Sequence, residues 1–211
     1  MIDSHHQQGH AHPGAIPERK NLQPRWRLGV LASIAILTAG GAFGGWAASE
    51  TSPRAAPPVD RPAAIQAFRD RASSQAAERY FLTILTSNLA VYAWLLMGIV
   101  SGGLTTVAIL TFNGILIGQA AVVATQLGAS GITLALLSLP HGVPELAAFV
   151  LASAVGLQGP ALIRAWLRHA NGTELLRSLW RPALLGLPLL AAAAGIEVRV
   201  TLPLALSVED Y

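Results

Sequence analysis

The chain has 211 residues, 53% of them hydrophobic and only 12% charged, against roughly a quarter charged in an average soluble domain. A net charge of +3 and a pI near 10 do not mark a nucleic-acid binder, because the basic residues lie in short clusters beside apolar runs, where positive-inside topology accounts for them. With no cysteine, disulfides, thiolate nucleophiles and cysteine metal sites are excluded; a mean hydropathy of +0.50, and a stretch from Leu82 to Ile163 whose only charged residue is Glu145, make the bilayer the natural solvent.

Residues 1–25 are polar and carry His5, His6, His10 and His12 among Pro and Gly, the composition of a disordered tail. Imidazoles are good metal ligands, but a flexible extension accounts for the pattern more simply. Arg19, Lys20, Arg25 and Arg27 precede the first apolar run, Leu28 to Ala48, so residues 26–48 predict the first transmembrane helix. The run exceeds the usual core of a signal peptide, which favours an uncleaved anchor. Gly40, Gly41, Gly44 and Gly45 give it two overlapping small-xxx-small spacings, which let another helix approach closely.

Residues 49–80 form the one sizeable polar segment between spans. Pro53, Pro57, Pro58 and Pro62 begin it, Asp60 reads as an N-cap, and Ile65, Phe68, Ala72 and Ala76 recur at helical spacing. This predicts a short amphipathic helix that docks on its own bundle, lies on the membrane surface or binds a partner. The spans that follow are predicted at about 81–100, 104–127, 131–157 and 182–203 within a bundle over 81–205, with turns at Ser101-Gly102-Gly103 and Gly128-Ala129-Ser130. Pro140, Gly142 and Pro144 predict a break or strong bend in the fourth span, because proline removes a backbone donor and clashes with the preceding turn. Residues 158–181 combine Arg164, Arg168, Arg177 and Arg181 with Trp166 and Trp180, an interfacial signature. Glu197 and Arg199 interrupt the last apolar run, either ending it or pairing near the interface.

The fold class is therefore an all-α polytopic bundle of about five spans. With the N-terminus in the cytoplasm, the inner side holds eight Lys and Arg residues and the outer side six, which places 49–80 and the acidic C-terminal end outside.

Asn88, Asn113, His141 and Glu145 are polar groups inside apolar spans, where they must find partners or cost several kcal/mol. Intramembrane ionisable residues are functional candidates. His141 and Glu145, four residues apart, share one face of a continuous helix; in a broken one, His141 sits at the start of the second half-helix, where free N–H groups favour an anion. Three readings stand: a hydrogen-bonded network that specifies packing, a path for protons or ions, or a metal site that activates water. One His and one Glu are too few for a usual catalytic zinc site, and the HExxH spacing is absent. No cofactor is called for. Gly114 and Gly118 form a GxxxG spacing directly after Asn113, and Gly98 and Gly102 repeat it at the end of the second span.

The run Asn88, Gly98, Gly102, Phe112-Asn113-Gly114, Gly118, followed by Leu139-Pro140-His141-Gly142-Val143-Pro144-Glu145, resembles the stage II sporulation protein M family over about residues 65–200. The Pro-His-Gly-x-x-Glu element is its most specific feature. The resemblance implies a multi-spanning bacterial membrane protein, usually with five helices. It also implies a partner-binding role; the founding member, in spore formers, holds peptidoglycan-degrading enzymes at the septal membrane. It supplies no reaction. The expectation is a non-catalytic inner-membrane scaffold whose partners are the lipid bilayer and other membrane or envelope proteins, with homo-oligomerisation open and no nucleic acid. The alternative is a transporter or permease subunit using His141 and Glu145; an intramembrane metal-dependent hydrolase is a distant third.

Overall fold

A computed structural model describes residues 26–50, 74–126, 128–168 and 172–204. The tail with its histidines, the amphipathic helix expected within 49–80 up to residue 73, and the acidic C-terminal end lie outside these residues. Among the described residues the structure is helical, and five segments are long and apolar enough to cross a membrane. Lipid offers no hydrogen-bond partner to the backbone, so each apolar run satisfies its own N–H and C=O groups as a helix.

Helix α1 spans Trp26–Glu50, about 37 Å at 1.5 Å per residue. Helix α2 spans Ser74–Leu96 and tightens into a 3-10 turn at Met97–Ile99. The reversal that follows uses Gly102 and Gly103 at φ of +64° and +90°, where a side chain would be strained. There Ser101 Oγ accepts the Thr105 N–H at 3.1 Å, pairing one of the free donors that open α3, Leu104–Gln126. Gly128, at φ +94°, makes the next reversal, and Ser130 caps α4 by accepting from the Thr133 N–H at 3.1 Å.

Helix α4 runs unbroken over Gly131–Gly156, with Pro140 and Pro144 inside it. The expected division into two half-helices at these prolines is thus not what forms. The bond Pro144 lacks would have gone to the carbonyl of Pro140, and the one Pro140 lacks to that of Leu136, so both defects fall on one line of the helix and leave the other turns intact. Packed membrane helices tolerate such defects. The segment is interrupted later, at Leu157–Gln158, where the backbone flattens to ψ near −7° and −6° and the Gln158 N–H reaches back only three residues, to Val155, at 3.0 Å. Pro160 then has no N–H to offer the carbonyl of Gly156, and a short helix α5, Gly159–Leu167, leaves in its own direction.

Helix α6 covers Gly172–Ile196 and continues through a π-helical turn at Glu197–Thr201 to Leu204. It starts ten residues before the expected fifth span, so Arg177 and Arg181 ride on this long helix, while Arg164 lies on α5 and Arg168 caps its end.

Two cores hold the bundle. One joins α2, α3, α4 and α6 through Tyr92, Leu95, Leu110, Phe149 and Leu190, with Ala148 and Ala152 allowing close approach. The Tyr92 hydroxyl crosses to donate to the Ala183 carbonyl, and its ring fills the space left by Gly186. The other seats α5 against α6 through Val155, Leu162, Leu175 and Leu179. Helix α1 lies mainly along α3 and touches α4 near its own start, where Gly29 faces Ala154.

Candidate intramembrane polar site

Because α4 is continuous at Pro140, His141 and Glu145 project from one face, one turn apart. That face meets the end of α6. His141 Nδ1 lies 3.1 Å from Thr201 Oγ1. One turn along, Glu145 lies close enough to Asn88 of α2 and to Glu197 to interact with both electrostatically. The hydroxyl of Tyr80, also on α2, donates to Glu197 Oε1 at 3.3 Å. Six polar side chains on three helices thus form one bracket, all of them only partly exposed.

The π-helical turn positions the α6 side of this bracket. Its widened loop, closed by the Leu202 N–H on the Glu197 carbonyl, contributes both Glu197 and Thr201. Such turns inside α-helices recur at functional sites. Among the described residues no three His, Asp or Glu side chains converge as metal ligands would. A recess of about 750 Å³ opens beside the same turn, but its walls are Ala77, Glu78, Phe81, Ala192 and Arg199 with neighbouring apolar residues; His141 and Glu145 do not line it.

Of the residues expected at the site, His141, Glu145 and Asn88 come together, though His141 and Glu145 each face another partner. Asn113 does not join them. Its amide donates to the Ile109 carbonyl of its own helix at 2.8 Å. Glu197, Thr201 and Tyr80 were not anticipated. Glu197 is the sole acidic residue between Glu174 and Glu209, and it stands four residues from Thr201 just as His141 stands from Glu145. That matched spacing, inside one long apolar run and at the end of another, is the signal that could have found them.

The glycine motifs divide in the same way. Gly40 and Gly44 of α1 meet Gly114 and Gly118 of α3: a Cβ on Gly40 would stand 2.7 Å from the Thr111 carbonyl oxygen, and one on Gly118 would stand 2.8 Å from the Gly45 nitrogen. The two spacings read separately in the sequence are thus two halves of one contact. Gly98 packs against Thr106 and Gly156, where the second span meets the α4 bend, whereas Gly102 belongs to the turn rather than to a helix face. A Cβ on Gly142 would touch nothing within 4 Å.

The family model described as stage II sporulation protein M matches residues 33–202, a range that contains the glycine contact and the polar bracket. The chain is also similar to an uncharacterized protein of Methanocaldococcus jannaschii, 30% identical over 131 residues, which cover 57% of this chain and 70% of that protein. No solved structure matches the chain.

Proposed function

The chain belongs to the stage II sporulation protein M family, and from that premise we propose that it is a non-catalytic scaffold of the bacterial inner membrane, N-terminus in the cytoplasm, that recruits proteins which remodel the cell envelope. The observation that carries this reading is the internal pairing of the polar bracket. His141 pairs with Thr201 and Tyr80 with Glu197, while Glu145 faces Asn88 and Glu197, so the groups meet across α2, α4 and α6, outside the recess beside them. A site built for turnover presents its acid or base to a space where substrate fits. Here those groups join helices, which favours a rigid platform whose outward surfaces carry the function.

The test is cross-linking in native membranes followed by purification in several detergents. A defined envelope or membrane protein recovered in each of them supports the scaffold. Recovery of no specific protein in any of them counts against it. Reporter fusions at residues 25, 60 and 170 check the orientation: 25 and 170 should report the cytoplasm and 60 the outer side.

A transport subunit is the second reading, favoured by Glu145 and Glu197 facing each other on two helices at a π-helical turn, since ionisable groups inside membranes mark ion and proton pathways elsewhere. Solute or proton flux in liposomes that is lost in both Glu145→Gln and Glu197→Gln would support it. Flux that survives both substitutions would remove this pathway.

A further inference from the structure

On the outer face of α6, Trp180, Arg181, Leu184, Leu185 and Pro188 line an open groove of about 340 Å³. It straddles a chemical boundary. Arg181 is the last charged residue before residues 182–196, which carry none, so one end of the groove is cationic and the other hydrocarbon-like. Trp180, half exposed, lies at that boundary with the Arg181 guanidinium 5.5 Å from its ring centroid, and Trp belongs at the headgroup level of a bilayer. Arg177 lies one turn before Arg181 on the same exposed face. Residues 158–181 hold four arginines against one glutamate, so the local field is positive. Leu184 and Leu185 are more than half exposed on the apolar side, and the Pro188 ring interrupts the helix ladder there.

From this geometry we propose that the groove is a binding site for one anionic phospholipid. The phosphate pairs with the guanidinium of Arg181, with Arg177 adding charge. The glycerol region lies against the Trp180 indole, and an acyl chain follows Leu184, Leu185 and Pro188. Charge complementarity selects the headgroup, and the apolar walls select a lipid over a free anion. Paired planar donors and the ring stacking explain arginine rather than lysine at the mouth. The site does not depend on the scaffold reading.

The experiment is titration of the purified, delipidated full chain with phosphatidylglycerol and, separately, phosphatidylcholine, read by native mass spectrometry. Phosphatidylglycerol should bind about tenfold tighter, the effect expected of one or two interfacial arginines. Arg181→Gln should remove that preference, while Arg164→Gln on α5, which removes the same single charge, should keep it. Leu184→Trp fills the apolar end and changes no charge, so it should weaken both lipids even if Arg181→Gln fails to fold. Three results would overturn the proposal. Equal affinity for the two lipids means no headgroup site. Equal losses in Arg181→Gln and Arg164→Gln mean diffuse charge only. An unchanged lipid affinity in Leu184→Trp with a shifted monomer–dimer balance means the groove is covered by a second copy of the chain.

Discussion

Two regions hold this bundle together by opposite means. Where α1 meets α3, Gly40, Gly44, Gly114 and Gly118 bring backbone against backbone, with no side chain between them. Where α4 meets α2 and the end of α6, the bracket of His141, Thr201, Glu145, Asn88, Glu197 and Tyr80 crosses the gap with hydrogen bonds and one facing pair of carboxyl groups. Lipid tails are as apolar as leucine, so neither region can rely on hydrophobic exclusion from water, and what remains is close packing or polar pairing. Packing is additive and tolerates no added volume. Polar pairing tolerates added volume better, but leaves an orphan when one partner is removed. The difference therefore predicts opposite mutational signatures.

The largest effect should come from adding atoms to the glycine contact. Gly44→Leu places side-chain carbon on the Ile115 backbone, and Gly118→Leu on that of Gly41 and Gly45. Backbone cannot swing aside as a flexible side chain can, so each should cost about 3 kcal/mol or more, the upper end of overpacking penalties. Thermal unfolding in a mild detergent measures this. A loss under about 1 kcal/mol would show that α1 moves freely away from α3 and that the contact does not fix the bundle.

Next come substitutions that orphan a polar partner. Glu145→Leu removes the carboxyl that Asn88 faces and should destabilise by about 1–3 kcal/mol. Glu145→Gln keeps a polar group facing Asn88 and removes the carboxyl facing Glu197, so it should stay near the parent. Coupling between Asn88→Leu and Glu145→Leu should reach about 0.6–1.7 kcal/mol, the range of interhelical pairs in membranes. Strict additivity would mean that the two groups are solvated separately. The pair His141→Phe and Thr201→Val should couple more weakly, near about 0.6 kcal/mol, because it rests on a single bond at 3.1 Å.

These two regions were not equally legible in the sequence. The glycine spacings at 40–45 and 114–118 are local patterns, and close approach is the one thing such spacing allows, so each half was visible; that they face each other required the fold. The polar groups of α4 stood out because Glu145 is alone in a long uncharged stretch. Glu197 did not stand out, because beside Arg199 it resembles the charged end of a span. Only the π-helical turn, which the residue sequence does not announce, keeps it in the bracket. The reading of two half-helices at the prolines failed for a related reason. Their cost is local and read correctly, but a helix held by neighbours absorbs two aligned defects, whereas the adjoining Gly156, Gly159 and Pro160, packed against the turn after α2, set the actual interruption.

The smallest effect tests what the motif glycine is for. Gly142 sits between His141 and Val143 on α4, inside the element that carries the family resemblance, yet a Cβ there meets nothing within 4 Å. If the bundle alone explains the residue, Gly142→Ala should be neutral or stabilising by up to about 1 kcal/mol, since alanine loses less backbone entropy in a helix. It would then differ in sign from Gly44→Leu despite the same starting residue. Thermal unfolding of the monomeric fraction and of the chain in native membranes should be compared. Gain in both confines the glycine to backbone flexibility beside Pro140 and Pro144. Gain in the monomer with loss in membranes means that another helix covers Gly142 there, which is how a scaffold would present a small-residue face to its partner.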